Sequence, residues 1–148
     1  MALRLRLLEG NYAIARLNAV AAIPHWADGP GFVSISRSDD ELSVLCRAER
    51  VPASVRQDSG WACMKLLGPF AFDETGIVLS VIRPLSEAGI GIFVVSTFDG
   101  DHLLIKQSDV PAGAELLRAA GHQLDQVADA VCPYTGGALK RCRWGRVL

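Results

Sequence analysis

Two short stretches of the sequence carry groups that could hold a small charged molecule. The first, residues 73–77, contains Gly76 and leads into an apolar run with helical spacing. Free amide groups at the start of a helix favour an anion such as a carboxylate, and a glycine lets a ligand approach the backbone closely. The second stretch offers hydroxyl groups and carboxylates, which could pair an ammonium group or a basic side chain: Ser96, Thr97, Asp99 and Asp101.

The same residues also have purely structural explanations. Asp73 is a good N-cap for the helix, and together with Glu74 it would repel a carboxylate placed too close. Gly76 could serve only to allow tight packing between helix and strand. Asp99 precedes a glycine, and this pair forms tight hairpin turns without any ligand. Residue types alone therefore leave both binding and structural roles open.

The sequence contains no motif typical of catalysis. It has no glycine-rich phosphate loop, no dinucleotide-binding fingerprint and no Gly-x-Ser-x-Gly motif. A nucleophile, histidine and carboxylate set could be assembled from Cys63, His102 and Asp99, but their spacing does not support it. None of the four cysteines forms a Cys-x-x-Cys pair, which argues against a zinc site. We therefore predict a protein that is not an enzyme and holds no cofactor or metal.

Composition limits the cellular setting and the partners. The chain has 148 residues, of which 50% are hydrophobic and 21% are charged, and its net charge is −1. This composition predicts a real core, and its near-neutral charge gives no pull toward nucleic acid or membrane. No apolar run approaches the roughly 18 residues of a membrane-spanning helix, and arginines interrupt the N-terminal leucines. We expect a cytoplasmic protein without membrane or nucleic-acid partners.

Hydrophobic periodicity predicts the elements that would position the two stretches. The first helix of the second half has one apolar face, ends at Gly89 and contains Pro84, which should bend it. The full order is strand 61–67, this helix, a hairpin of strands 92–97 and 102–106, a second helix and a strand at 122–127. This order predicts a ferredoxin-like α+β unit, in which both helices lie on one face of an antiparallel sheet.

The first half shows the same strands with little helix. Residues 3–8 and 12–17 are predicted strands, and Glu9-Gly10-Asn11 between them favours a tight turn. Residues 32–37 and 42–46 form a second predicted hairpin. Both segments that could be helices are short, so they predict a unit in which the helices are reduced.

An internal repeat connects the two halves. GFVSISRSDDELSVLC, from Gly31, aligns without a gap with GIFVVSTFDGDHLLIK, from Gly91, and Val-Pro-Ala follows each hairpin. A chance likeness of two strand hairpins is the alternative explanation. The repeat predicts two ferredoxin-like units, the first with shortened helices: residues 1–60 and residues 61–127, followed by a basic tail at 128–148. Pairing of the units would bury apolar surface and remove open sheet edges.

The segment GPFAFDETGIVLSVIRPLSEAGIGIFVVSTFDGDHLLIK resembles an ACT domain, a regulatory unit. ACT domains have an Asp-x-x-Gly-apolar turn before their first helix, and here Asp73, Gly76 and Ile77 match it. From residue 3 to about residue 127 the chain resembles a bacterial family of paired ACT units. Its motifs include LRLLEGNYAIARL, IPHWA and the two hairpins. That family is related to the ACT halves of aspartate kinases and to the cytosolic arginine sensors of animal cells.

The resemblance implies a non-catalytic regulatory protein that binds a small molecule, and an amino acid is the ligand that ACT domains commonly bind. The implied site is the turn before the main helix together with the adjacent hairpin: Asp73, Thr75, Gly76, Ile77, Ser96, Thr97, Asp99 and Asp101. The alternative is a pure association module, which makes a homodimer or binds a protein partner without any ligand. Ligand-dependent stability or oligomer size would separate the two hypotheses.

The last residues fall outside the resemblance. Lys140, Arg141, Arg143 and Arg146 cluster around Trp144 and could contact an anionic surface, a nucleic acid or a partner protein. A solvated terminus with no partner is the structural explanation, and we expect that deletion of residues 133–148 leaves folding intact.

Overall fold

The computed structural model describes residues 2–68, 70 and 75–125, which form an eight-stranded sheet and two α-helices. The elements are β1 (Arg4–Leu7), β2 (Tyr12–Leu17), β3 (Ser34–Arg37), β4 (Leu42–Arg47), β5 (Gln57–Leu67), α1 (Ile77–Glu87), β6 (Ile92–Ser96), β7 (Asp101–Lys106), α2 (Val110–Ala119) and β8 (Gln123–Asp125). Short 3₁₀ turns lie at His25–Ala27, Ala48–Arg50 and Gln107–Asp109. The basic tail, with Cys132 and Cys142, lies outside the described residues, and so does Asp73.

Strand β5 joins the two halves into one sheet. Its first part pairs with β2 and its second part with β1 along one edge, while β7 pairs along the other edge. The predicted pairing of the units therefore occurs through sheet edges and yields a single continuous sheet. The proposed boundary at residue 60 falls inside β5, and the division into residues 1–60 and 61–127 stays a prediction.

The predicted tight turn at Glu9-Gly10-Asn11 is wrong as a reversal of the chain. Strands β1 and β2 both run antiparallel to β5 on its same edge, so the chain continues in one direction past this segment. Gly10 has φ of 100° and lets the extra residues bulge out of the strand. Strand β1 is also parallel to β8, so the sheet is not antiparallel throughout as predicted.

Both helices of the second half cover one face of the sheet, which confirms the predicted ferredoxin-like α+β class. The buried residues of α1 are Ile77, Val81 and Leu85, and those of α2 include Val110, Ala114 and Leu117. They pack against alternate residues of the central strands, since side chains at positions i and i+2 share a face: Leu5, Leu7, Ala62, Met64, Leu66, Leu103 and Ile105.

Helix α1 runs on through Pro84 to Glu87. Proline has no N–H, so the carbonyl of Ser80 loses the partner that residue 84 would provide. The buried His122 replaces that partner, because its Nε2 lies 3.0 Å from the Ser80 carbonyl oxygen. Its Nδ1 accepts a hydrogen bond from the Leu3 N–H at 3.2 Å, which assigns the proton to Nε2. The proline is thus tolerated because a side chain from the end of the sheet satisfies the freed carbonyl.

The first half covers its sheet with a loop instead of helices. Residues 18–33 cross a core of small or medium side chains that includes Ala13, Ala15 and Ala27. Arg50 fastens this loop by donating to the carbonyl oxygens of Trp26 at 3.1 Å and Pro30 at 2.7 Å. The helices predicted to be shortened in this half are reduced to 3₁₀ turns at His25–Ala27 and Ala48–Arg50, and the second of these ends before Val51, where the sequence predicts a short helical turn. None of the helices in the described ranges is long and apolar enough to cross a membrane.

Candidate ligand site

A cavity of about 380 Å³ lies between the start of α1 and the end of the β6–β7 hairpin. Its described lining brings together most of the residues that the sequence singles out: Gly76, Ile77, Ser96, Thr97 and Asp101. Gly76 and Ile77 come from the start of α1, and the other three residues come about twenty positions later from the β6–β7 hairpin, where Ser96 pairs with Asp101. That they bind a ligand stays a prediction.

The first turn of α1 forms one side of this cavity. Gly76 is the N-cap and has φ of 77°, a left-handed conformation that suits glycine. The first hydrogen bond of the helix runs from the Ser80 N–H to the Gly76 carbonyl oxygen at 2.9 Å. The amide groups of Ile77, Val78 and Leu79 therefore have no acceptor within the helix, and these residues line the cavity. An unused set of N–H groups at a helix start attracts anions.

The predicted cap at Asp73 is wrong for this helix. Helix α1 begins at Ile77 with Gly76 as its N-cap, three residues later than the sequence pattern suggests. An N-cap side chain normally accepts from the second or third residue that follows it, and glycine supplies no such side chain. The amide groups of the first turn are consequently not covered by a side chain at the N-cap position.

The hairpin forms the other side of the cavity and is braced by its own polar groups. The Ser96 hydroxyl donates to the Asp101 carboxylate, and the Thr97 hydroxyl donates to the Gly100 carbonyl oxygen at 2.8 Å. The Thr97 N–H closes the turn on the same oxygen at 2.7 Å. Both hydroxyls keep lone pairs, and Asp101 keeps a second carboxylate oxygen, so this side offers acceptors. These acceptors complement the N–H donors at the start of α1.

Some predicted residues lie away from this lining, and some lining residues were not predicted. Among the described residues, Thr75 and Asp99 do not line the cavity, and Asp99 sits in the exposed hairpin turn. Leu79 and Phe98 line it and are large apolar residues that are 49% and 78% exposed. The sequence could have marked Phe98 as a candidate, because an aromatic residue inside a polar turn fits no strand or turn pattern. Binding roles for Thr75, Asp99 and Asp73 stay predictions.

The two described cysteines, Cys46 and Cys63, are buried and are expected to be unreactive. Burial raises the pKa of the Cys63 thiol to about 12, and burial likewise raises the pKa of Cys46. A thiol with such a pKa stays protonated near neutral pH and is a poor nucleophile. Cys63 is fully buried, on the side of β5 opposite to the helices. This environment is that of a structural cysteine.

Two family models match the chain. One, described as an ACT domain, matches residues 56–119, and the other, described as an N-terminal domain, matches residues 10–54. The ACT match includes α1, β6, β7 and most of the long strand β5, and therefore both sides of the cavity.

Among curated proteins, the chain is similar to animal arginine sensors. It is 30% identical over 103 residues to the cytosolic arginine sensor for mTORC1 subunit 1 of Bos taurus, a match that covers 61% of this chain and 31% of the relative. The human protein of the same name is 30% identical over 95 residues, covering 59% of this chain and 29% of the relative. The match thus takes in less than a third of the length of these curated relatives.

Solved structures show the same architecture. A crystal structure of a protein from Agrobacterium tumefaciens has a TM-score of 0.83 at 62% identity and covers 86% of this chain and 96% of that one. A protein of unknown function from Vibrio cholerae has a TM-score of 0.67 at 16% identity, covering 81% of this chain and 91% of that one. E. coli aspartokinase III in complex with aspartate and ADP has a TM-score of 0.57 at 15% identity, and the match covers 80% of this chain and 33% of that one. The last two likenesses show the fold alone.

Proposed function

Because this chain belongs to the ACT domain family, we propose that it is a non-catalytic regulatory protein that binds a free amino acid. The ligand would occupy the cavity between α1 and the β6–β7 hairpin. Its binding would change the stability or the assembly of the protein and so report amino acid supply to a partner protein. We propose a cytoplasmic location, as the name of the curated relatives states for those sensors.

The observation that carries this proposal is the presence of donors and acceptors on opposite sides of one cavity. The first-turn amides of Ile77, Val78 and Leu79 would bind an α-carboxylate. Asp101 and the lone pairs of the Ser96 and Thr97 hydroxyls would bind the ammonium group. A zwitterion carries both charges a few ångströms apart, and a cavity of about 380 Å³ lies in the range that holds small ligands.

The relatives give this proposal a chemical precedent without naming the ligand. The curated sensors are named for arginine, and the match takes in less than a third of their length. An acidic group at Asp101 would suit a basic side chain or simply the ammonium group that all amino acids share. The proposal therefore stops at a free amino acid.

A second function, association without a ligand, is favoured by the apolar rim of the same cavity. Leu79 and Phe98 are large, exposed and close to the hairpin end, and such residues commonly contact another protein. A second copy of the chain that covered them would form a homodimer. In this alternative the amide and carboxylate groups of the cavity would only stabilise the fold.

A thermal-shift panel of the twenty amino acids tests the proposal. A ligand at about 100 times its dissociation constant adds about 2.7 kcal/mol to the free energy of unfolding, which is several degrees in a domain of this size. Asp101→Asn should abolish that shift. The matched control is Glu41→Gln, because Glu41 aligns with Asp101 in the first hairpin and loses the same charge. The control should keep the full shift.

The same panel separates the two candidate functions when it is run beside size-exclusion chromatography with light scattering. A regulatory binder shows a shift in melting temperature for at least one amino acid. A pure association module shows none of these shifts at millimolar ligand, while Phe98→Ser converts an oligomer to a monomer. This second pattern would overturn amino acid binding.

A further inference from the structure

A second cavity, of about 320 Å³, lies on the sheet face opposite to the helices. Lys65 and His102 are paired across β5 and β7 and line it. Their neighbours Met64 and Leu103 belong to the core under the helices, so the alternation of side chains directs Lys65 and His102 to the other face. Arg47 from β4 and Phe32 from the loop of the first half complete the wall. We call this the seam cavity, because it lies where the two halves meet.

Arg47 brings a charge that the described residues do not satisfy. Its Nε is buried and has no hydrogen-bond partner among them. Its closest carboxylate, Glu49, lies 3.9 Å from the guanidinium and is largely exposed. A buried donor without a partner costs free energy, and an anion that accepts from Arg47 would recover it.

His102 supplies an independent observation of the same kind. It is only 8% exposed, and its Nδ1 is buried without a partner in the described part of the chain. The ring stacks on Phe32 with centroids 3.7 Å apart and planes inclined by 9°, which holds it at the cavity wall. Burial, with Lys65 nearby, lowers the pKa of His102 to about 4, so the ring is neutral at neutral pH.

The remaining lining decides which anion fits. Arg47 and Lys65 give two positive charges, and the exposed Glu9 at the rim gives one negative charge. The net charge of one suits a single carboxylate better than a phosphate dianion, which Glu9 would repel. Leu8, Phe32 and the ring of Tyr12 add apolar wall. A ligand with one carboxylate and a compact apolar body satisfies both the charge and this wall.

Gly31 lets the loop of residues 18–33 pass close to the side chains of Arg47 and Tyr12. Its φ is 92°, and a Cβ at this position would lie 2.7 Å from the Arg47 Nε and 2.8 Å from the Tyr12 hydroxyl oxygen. The Tyr12 hydroxyl in turn accepts the Phe32 N–H at 3.0 Å. The loop can therefore bring Phe32 onto His102 only because residue 31 is glycine.

We propose that the seam cavity binds a small monocarboxylate, with the carboxylate against Arg47 and Lys65, beside the neutral ring of His102, and the apolar body against Phe32 and Leu8. This site differs from the amino acid site proposed above, because it lies on the other face of the sheet and uses none of the same residues. The two sites meet at β7, where Asp101 belongs to the first and His102 to the second.

An NMR titration of the full chain with sodium benzoate tests the proposal. We expect saturable shifts of the Phe32, Arg47, Lys65 and His102 amides at constant ionic strength, and no saturable shift with benzyl alcohol or sodium phosphate. Lys65→Gln should weaken benzoate binding about fivefold or more, because it removes one of two cations. Lys65 is exposed, so this variant folds. The control Arg83→Gln removes an exposed charge from α1 and should leave the affinity unchanged.

Three results would overturn the seam site. Benzoate shifts that grow linearly without saturation would mean no site, and equal shifts with benzyl alcohol would mean no role for the carboxylate. A Lys65→Gln variant with unchanged benzoate affinity would remove Lys65 from the site. None of these outcomes bears on the thermal-shift panel, whose readout is the α1 and β6–β7 cavity.

Discussion

The two hairpins β3–β4 and β6–β7 end in different environments although their sequences align without a gap. The gapless alignment sets Arg37 against Thr97, but the pairing register differs from it by one residue, because Arg37 pairs with Leu42 at the end of the first hairpin and Ser96 pairs with Asp101 at the end of the second. The Arg37 guanidinium donates to the carbonyl oxygens of Ala19 and Ala21, so the chain after β2 is fastened against the hairpin. Thr97 is short and bonds only within its own turn, and a cavity remains beside it. The end of the first hairpin is thus covered by the chain that follows β2, whereas the end of the second hairpin borders a cavity beside the start of α1.

The covering layers differ in the same way. The second half covers its strands with two amphipathic helices that bury leucine, isoleucine and valine side chains. The first half uses the loop of residues 18–33 over a core rich in alanine, and two arginines hold that loop through backbone carbonyls. Large apolar contacts thus stabilise one half and directed hydrogen bonds the other.

Truncation of a fully buried leucine should cost more in the helical half. Leu117→Ala is expected to lower the free energy of unfolding by about 4 kcal/mol, because α2 is fixed on the sheet and cannot fill the space. Leu42→Ala, the matched change in the first half, should cost about 2 kcal/mol, because the loop can settle into the gap. Urea unfolding measures both values, and equal losses would contradict the comparison.

Acid should destabilise the face that both halves share. The pKa of His102 is about 4 in the folded protein and about 6.5 when unfolded, so the unfolded state binds the proton more readily. Stability is complete above pH 6.5, falls as the pH drops, and the loss levels off below pH 4. The expected loss is about 3 kcal/mol at about 1.4 kcal/mol per pKa unit; burial is the main cause of the shift, Lys65 adds to it, and Asp101 opposes it. Arg47 and Glu9 line the same cavity with charges of opposite sign.

Unfolding at a series of pH values, for the natural sequence and for His102→Gln, measures this loss. The difference between the two proteins removes the contribution of carboxylates, which titrate in the same range. The variant should lack the fall between pH 6.5 and pH 4. A parallel decline in both proteins would mean that His102 is not the group responsible.

Substitution of Arg50, which holds the loop of residues 18–33, should increase local unfolding in the first half alone. Arg50 donates to the Trp26, Ala27 and Pro30 carbonyl oxygens, so Arg50→Gln is expected to cost about 1.5 kcal/mol. Hydrogen exchange and limited proteolysis should accelerate in residues 18–33 and stay unchanged in α1. Arg83→Gln is the control for the loss of one charge. Equal acceleration in α1 would show that the halves do not respond separately.

A single substitution at Thr97 has the smallest expected effect on stability and a large expected effect on amino acid binding. Thr97→Arg places a long cationic side chain at the cavity and should abolish amino acid binding while changing stability by less than about 0.5 kcal/mol. Calorimetry and urea unfolding check the two parts. Retained binding with normal affinity would mean that the cavity beside Thr97 is not the site.

Much of the fold could be predicted from the sequence because its signals are local. The period of the apolar residues predicts α1, the Asp99-Gly100 turn predicts the hairpin, and the repeat predicts two similar strand pairs. The helix start was misplaced since Asp73 is a good cap by type, whereas the chain enters α1 through the left-handed Gly76. The turn at residues 9–11 was misread because a glycine marks a bulge and a reversal equally well.

The parts that could not be predicted depend on contacts between distant positions. The parallel pairing of β1 with β8 joins residues more than a hundred positions apart. The seam cavity combines residues of β2, β4, β5, β7 and two loops, and none of them stands out in its own segment. The hairpin residues of the amino acid site were predictable as candidates, since polar groups at the end of an apolar hairpin have no core role.

The central claim is that an amino acid carboxylate binds the first turn of α1, and amide chemical shifts test it most directly. In a titration of the isotopically labelled chain with each of the twenty amino acids, the Ile77, Val78 and Leu79 amides should move and saturate with at least one of them. The Ala19, Val20 and Ala21 amides, in the corresponding segment of the first half, should stay in place. Unmoved α1 amides at saturating concentrations of every amino acid would contradict the account.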